Sequence, residues 1–201
     1  MRFLIPFIAA AVCFGQAGQQ SADVELPDTP GIYAVIETSM GRMVALLYDD
    51  LAPQTVQNFI SLVRGNKTTL DKKGKPVQRP YYDGLTFHRV IKGFMIQTGD
   101  VKGTGSSDCG IGNIKDEISK KISFDNPGTL GMANTGQADS GACQFFITVG
   151  RSSHLDGRYT LFGQVVLGQE VAVAISQVPT GDNDRPKKPV TVTRITIRTK
   201  P

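Results

Sequence analysis

FHRVIKGFMIQTGD, residues 87–100, is two short runs of β-forming side chains joined through Lys92-Gly93. Side chains alternate along a strand, so His88 and Val90 are expected on one face and Phe87 and Arg89 on the other. The turn at Gly93 then brings Phe94, Met95 and Gln97 within reach of the surface that Arg89 occupies. A strand arginine taken alone is a solvated rim charge, so the residues around it must decide whether it carries chemistry.

Similar runs extend to both sides. Ile32 to Thr38 and Met43 to Tyr48 flank Ser39-Met40-Gly41-Arg42 and read as a hairpin. Thr86 to Val90, Phe94 to Thr98, Thr129 to Ala133, Gln144 to Val149 and Leu161 to Val166 are expected strands. Val190 to Arg198, rich in β-branched residues and preceded by the charged loop Gly181 to Pro189, is the closing one. Two helices interrupt them. Pro53 opens the first, whose Val56, Phe59, Ile60 and Val63 share one face before Gly65 ends it; the second covers Gln169 to Ser176. A mainly β fold follows, and a closed barrel with helices over its openings is the arrangement that leaves no strand edge exposed.

A chain of 201 residues with 40% hydrophobic content is large enough for one domain with a true core. Its first residues stand apart. Met1 and Arg2 precede an apolar run from Phe3 to Phe14, and Gly15-Gln16-Ala17 supplies small residues, so residues 1–17 read as a signal peptide. The run is too short to span a bilayer, which needs about 20 apolar residues. Lipid anchoring through Cys13 is the less favoured alternative, because Val12 and Phe14 do not suit it. Residues 18–30 read as a flexible polar spacer, and residues 31–201 as the folded domain. Losing the signal leaves 21 cations against 18 acids, a net +3. No nucleic-acid motif accompanies that small excess, so nucleic acid is not an expected partner. Export would place the protein in the periplasm or outside the cell, without stable membrane insertion.

Cys109 and Cys143 lack metal-ligand spacing, and only His88 and His154 could assist them, so neither a metal nor another cofactor is expected. An oxidising compartment permits the two cysteines to pair, but two separate, partly buried thiols is the reading preferred here. Gly103 to Asp108 fails as a dinucleotide loop, since Asp108 takes the place of the third glycine and no helix follows. No hydrolase or phosphate-loop motif occurs, and a nucleophile built on Ser106 or Cys143 has no local support. Lys67 to Arg79 reads as a solvated charged loop, with a basic docking element as its functional alternative.

Two further segments complete the picture: GMANTG at residues 131–136 and QFFIT at 144–148. With FHRVIKGFMIQTGD before them and LDGRYTLFG at 155–163 after them, they resemble the signature blocks of the cyclophilin-type peptidyl-prolyl isomerases. The resemblance runs from about Ile32 to Ile197. It implies an eight-stranded antiparallel barrel capped by two helices, with a substrate groove on its outer surface. It also implies roles: Arg89 as the catalytic arginine, Phe94, Met95, Phe146 and Leu155 as the proline pocket, and Gln97, Ala133, Asn134 and Gln144 as holders of the peptide backbone. For Phe146, barrel core and pocket are equally compatible with the residues alone, whereas Phe87 and Phe145 read as core.

Two positions depart from the family pattern. His154 stands where many members carry Trp, and Tyr159 where many carry His, so one groove wall is altered. That Trp is tied to cyclosporin binding in the family, and weak inhibition by cyclosporin is therefore expected. His154 and His88 are assigned no acid/base role. The implied partners are unfolded or flexible Pro-containing polypeptides, bound by a monomer; the alternative is a non-catalytic Pro-peptide-binding module of the same fold.

Overall fold

The computed structural model describes residues 24–201; the expected signal peptide and residues 18–23 of the expected spacer lie outside them. The chain folds through β1 (Gly31–Thr38), β2 (Gly41–Leu47), α1 (Pro53–Arg64), β3 (Thr68–Leu70), β4 (Pro76–Gln78), β5 (Arg89–Ile91), β6 (Met95–Thr98), β7 (Thr129–Met132), β8 (Phe145–Thr148), β9 (Leu161–Leu167), α2 (Gln169–Ser176) and β10 (Val192–Lys200). Eight strands form one antiparallel sheet in the order β10-β1-β2-β9-β7-β8-β6-β5. Its edges, β5 and β10, do not share a continuous ladder. They meet just before each strand, at a single Thr86–Thr191 bridge flanked by Phe87 N–H to Val190 C=O at 2.9 Å and Val192 N–H to Leu85 C=O at 2.7 Å. The sheet is thus curled and stitched at one point, which leaves little unpaired backbone for another chain to add to.

Alternation along the strands fills the inside. Ala34, Ile36, Ala45, Leu47, Ile96, Leu130, Phe145, Ile147 and Phe162 belong to one buried cluster. Helix α1 adds Val56, Phe59, Ile60, Leu62 and Val63 to it, and full burial of such side chains is worth about 1.5–3 kcal/mol each. Phe59 sits at the junction, 5.3 Å from the Tyr82 ring and 5.4 Å from both Phe145 and Phe162. The buried Tyr81 and Tyr82 hydroxyls donate to the carbonyls of Gly99 and Cys143, at 3.0 and 2.9 Å, so neither polar tip is stranded.

Both ends of α1 are satisfied, by different means. Gly65 takes the left-handed conformation (φ 69°) and its N–H closes the last turn on the Leu62 carbonyl. The N-terminus has no local side-chain cap. Instead the Glu117 carboxylate, arriving from a loop 62 residues further on, accepts the N–H groups of Gln54 and Thr55 at 3.0 and 2.8 Å. A carboxylate there also meets the positive end of the helix dipole.

Several expectations need correction. Phe87 and Arg89 do not share a face: Phe87 and Val90 both enter the barrel core while Arg89 lies outside. Residues 86–88 belong to the closure bridge, not to the β5 ladder, so the two-residue period is interrupted just before Arg89. Cys109 and Cys143 are joined as a buried disulfide with Cα atoms 6.6 Å apart, not separate thiols. Within the expected loop 67–79, Thr68 to Leu70 pairs with Pro76 to Gln78 as a small hairpin. Asp71 organises its tip by accepting the N–H groups of Lys73 and Lys75, at 2.8 and 2.9 Å. Of the expected spacer, Val24 and Leu26 pack beside Tyr33, Val35 and Val44 in a separate cluster from the main core, so its last residues lie against the domain. Among the described residues no helix is long and apolar enough to cross a membrane.

Candidate active site

The same alternation that sends Ile96, Phe145 and Ile147 inward sends Met95, Gln97 and Phe146 outward. Strand register then aligns them: Arg89 on β5 lies opposite Gln97 on β6, Gln97 opposite Phe146 on β8, and Phe146 opposite Gly131 on β7. A cation, an amide and an aromatic ring therefore form one row across three adjacent strands. Gly131 ends the row because the ring needs its place. A Cβ there would come within 2.7 Å of Phe146 Cε1 and Cε2, and nearer still to Cζ.

Outside the barrel a second hydrophobic cluster gathers around that row, made of Met95, Phe124, Phe146, Leu155 and Leu161, with Phe94, Ala133 and Tyr159 packed against it. This settles where Phe146 sits: it belongs to this outer cluster and not to the barrel core. Its ring stacks on Phe124 at 5.7 Å and meets the edge of Tyr159 at 5.6 Å. A short 3₁₀ helix, Ser153–Leu155, sets His154 beside Phe94, with ring centroids 5.2 Å apart.

An open recess of about 1070 Å³ runs over these groups. It is lined by Arg89, Phe94, Met95, Gln97, Ala133, Asn134, Phe146, His154, Leu155 and Tyr159, ten of the eleven residues singled out in the sequence. Gln144, the eleventh, does not line it. Its amide lies behind, accepting from Gln97 Nε2 at 2.9 Å and donating to the Gly105 carbonyl at 3.1 Å, so it orients Gln97 instead of facing the recess. The Asn134 side chain is also engaged within the protein, donating to the Arg158 carbonyl and accepting from the Gly136 N–H, both at 3.0 Å. The main-chain N–H and C=O of Asn134, a residue of the lining, make no backbone hydrogen bond among the described residues. Ala133 N–H, in contrast, is bound to the Gln144 carbonyl at 2.9 Å.

Sequence reasoning missed part of the lining. Thr104 and Gly105 form one lip, and Asn183, Asp184 and Arg185 another. The first lip is built on Asp100, a buried carboxylate that accepts from the N–H groups of Lys102 and Thr104 at 2.9 and 2.8 Å, from the Thr104 hydroxyl, from Gly105 N–H and from the Ser107 hydroxyl. Burial by itself would raise its pKa. The bonds from Lys102, Gly105 and Thr104, helped by His88, outweigh burial and hold it below the usual carboxylate value. The Asp-Gly-Ser-rich composition of residues 100–108 was the available signal for such a loop.

His88 is buried next to this lip, and neither ring nitrogen reaches a hydrogen-bond partner among the described residues. The neighbouring Gln144 amide is turned to Gln97 and Gly105. Burial is the main cause that lowers the His88 pKa; Asp100 opposes it, while Arg185 and Arg89 reinforce it. A neutral imidazole suits a packing role. Arg89 is about half exposed and makes one side-chain bond among the described residues, from Nε to the Asp184 carboxylate at 3.5 Å.

Such a site has an apolar recess, guanidinium groups at its rim and an oriented amide, and among the described residues no cluster of His, Cys, Asp and Glu could hold a metal ion. Apolar walls with a few polar groups among them are suited to holding a peptide. Comparison with known proteins agrees. Residues 33–197 match the family described as cyclophilin type peptidyl-prolyl cis-trans isomerase/CLD. The chain is 45% identical over 168 residues to peptidyl-prolyl cis-trans isomerase A of Mycobacterium tuberculosis, covering 82% of this chain and 91% of that protein. Identity and coverage are the same for the probable peptidyl-prolyl cis-trans isomerase A of Mycobacterium leprae. A cyclophilin type peptidyl-prolyl cis-trans isomerase of Cryptosporidium parvum, crystallised in the presence of the dipeptide Ala-Pro, superimposes with a TM-score of 0.73 at 28% identity, covering 84% of this chain and 99% of that one. On its sequence, its curled eight-stranded sheet and this groove, the chain belongs to the cyclophilin-type peptidyl-prolyl cis-trans isomerases.

Proposed function

We propose that this chain accelerates rotation about X-Pro bonds in exported, unfolded or flexible polypeptides, and that Arg89 supplies the stabilisation of the twisted amide. Resonance holds the X-Pro amide planar, with a rotation barrier of about 18–20 kcal/mol. As the bond twists, conjugation is lost and the imide nitrogen regains a lone pair. A guanidinium donates to that nitrogen only once the twist has begun, so its help falls on the transition state and not on bound substrate. The planar fork of an arginine offers donors in a fixed geometry that lysine lacks.

The remaining groups hold the substrate while one side of the bond turns. Phe94, Met95, Phe146 and Leu155 receive the proline ring, with His154 and Tyr159 completing the wall. Gln97, held by Gln144, and the main chain at Ala133 and Asn134 fix the peptide backbone. The observation that carries this reading is the in-register row Arg89, Gln97, Phe146, which sets a cation beside an apolar seat on one rigid sheet. Export to the periplasm or beyond, and action as a monomer on folding chains, rest on the N-terminal pattern and on the resemblance. The mass of the mature protein tests the first.

The deciding experiment is an NMR exchange assay on an Ala-Pro peptide. Losing a transition-state donor of this kind lowers the rate by about 10²–10³-fold, so Arg89→Ala should lose isomerisation by that factor while still binding peptide. Arg89→Lys should recover little. An unmodified protein that binds the peptide without accelerating exchange would instead be a Pro-peptide-binding module, and Arg89→Ala at full rate would remove the mechanism.

A further inference from the structure

The loop between α2 and β10 carries a group that the chemistry above does not use. Residues 180–186 form a tight hairpin: Thr180 bridges Pro186, Gly181 N–H donates to the Arg185 carbonyl at 2.8 Å, and Lys187 N–H donates to the Pro179 carbonyl at 2.8 Å. At its tip Arg185 N–H reaches the Asp182 carbonyl across Asn183 and Asp184, both with φ of 58°. Two successive left-handed residues are the mark of a type I′ turn, a conformation that Asn and Asp tolerate better than other side chains bearing a Cβ. The Arg185 guanidinium donates to the Gly103 carbonyl, tying this tip to the opposite lip of the groove. So anchored, the turn sets the Asp184 carboxylate 3.5 Å from Arg89 Nε, across 95 residues of sequence.

We propose that Asp184 is a positioning residue for Arg89. Its carboxylate holds the guanidinium along the Nε edge, which leaves both terminal amino groups free to face the recess. An arginine side chain that is half exposed has several torsions to explore, and an orienting partner reduces the search for the productive one. The contact is long and both side chains are about half exposed, so it adds little to folding; its effect is on orientation. This inference rests on the reading of Arg89 as the donor to the twisted amide.

The test measures kcat and KM on an uncharged Ala-Pro peptide blocked at both ends, for Asp184→Ala, Asp184→Asn, Arg89→Ala and the double variant Asp184→Ala with Arg89→Ala. Asp184→Ala should lower kcat about threefold to tenfold with KM changed by less than about twofold, as expected when an interaction acts only in the transition state. Asp184→Asn keeps an oxygen acceptor and should recover at least about half of the lost rate. The Arg89 Nε–H NMR signal should exchange faster with solvent in Asp184→Ala than in the unmodified protein or Asp184→Asn. In the Arg89→Ala background the Asp184 change should add nothing. An Asp184→Ala variant with unchanged or raised kcat overturns the proposal, as does one that slows the reaction without altering the Arg89 signal. If Arg89→Ala loses the rate and Asp184→Ala does not, only the role of Asp184 fails. If Arg89→Ala itself keeps the full rate, the reading of Arg89 fails and the Asp184 inference with it.

Discussion

Replacing Gly131 by alanine adds one methyl group at the end of the row, against the Phe146 ring of the groove wall. That Cβ would lie within 2.7 Å of Phe146 Cε1 and Cε2, far inside van der Waals contact. The ring cannot give way by a small tilt, because Phe124 stacks on it at 5.7 Å and Tyr159 meets it edge-on at 5.6 Å. Overpacking of a filled site costs about 1–3 kcal/mol. Disturbing the two ring contacts adds about 0.5–1.5 kcal/mol each. A total loss of about 2–6 kcal/mol lowers the melting temperature by roughly 4–24 °C for a domain of this size. Isomerisation should fall by at least about tenfold, because the apolar seat for proline is displaced with the ring. Thermal unfolding by circular dichroism and the exchange assay read the two effects. In a Phe146→Ala background the added methyl has room, so Gly131→Ala should cost less than about 1 kcal/mol there. A Gly131→Ala protein with unaltered melting and rate, or an equal loss in both backgrounds, would refute the account of the row.

Three other outcomes are expected. Glu117→Ala removes the distant cap of α1 and should cost about 1–2 kcal/mol in urea unfolding, with Glu117→Gln intermediate, since an amide oxygen keeps a bond but not the charge; equal stability of all three proteins would dismiss the cap. His88 has a lowered pKa in the folded state, so below its ordinary value of 6.5 the unfolded chain takes up a proton that the native protein refuses. Stability contributed by the neutral imidazole is thus complete above pH 6.5 and declines as pH falls, by at most about 1.4 kcal/mol per unit. Asp100, the carboxylate facing it, has its own pKa lowered and stays ionised across this window. The urea midpoint of His88→Gln should lose that slope between about pH 6.5 and 5, and an undiminished slope would assign it elsewhere. With His154 against Phe94, where the resemblance implies Trp, cyclosporin is expected to inhibit the purified protein only weakly; inhibition at nanomolar concentrations would contradict the altered wall.

Short-range order was written in the residues. The face of α1 follows from Val56, Phe59, Ile60 and Val63 and its end from Gly65, because helix period and left-handed glycine are properties of neighbouring residues. Phe145 reads as core from the residues, and the period of a strand then opposes Phe146 to it, but that Phe146 joins the outer cluster needed the sheet. The ordered blocks around Arg89, Asn134 and Phe146 placed the groove. Distant contacts decided the rest. Phe87 enters the core as its apolar ring led one to expect, but Arg89 does not share its face, because barrel closure at Thr86 and Thr191 broke the period between them. Cys109 meets Cys143 across 34 residues, Glu117 caps a helix 62 residues away, and Asp184 reaches Arg89 over 95. Each of these pairs is set by where curled strands and their loops come to lie in space, and no local propensity records that.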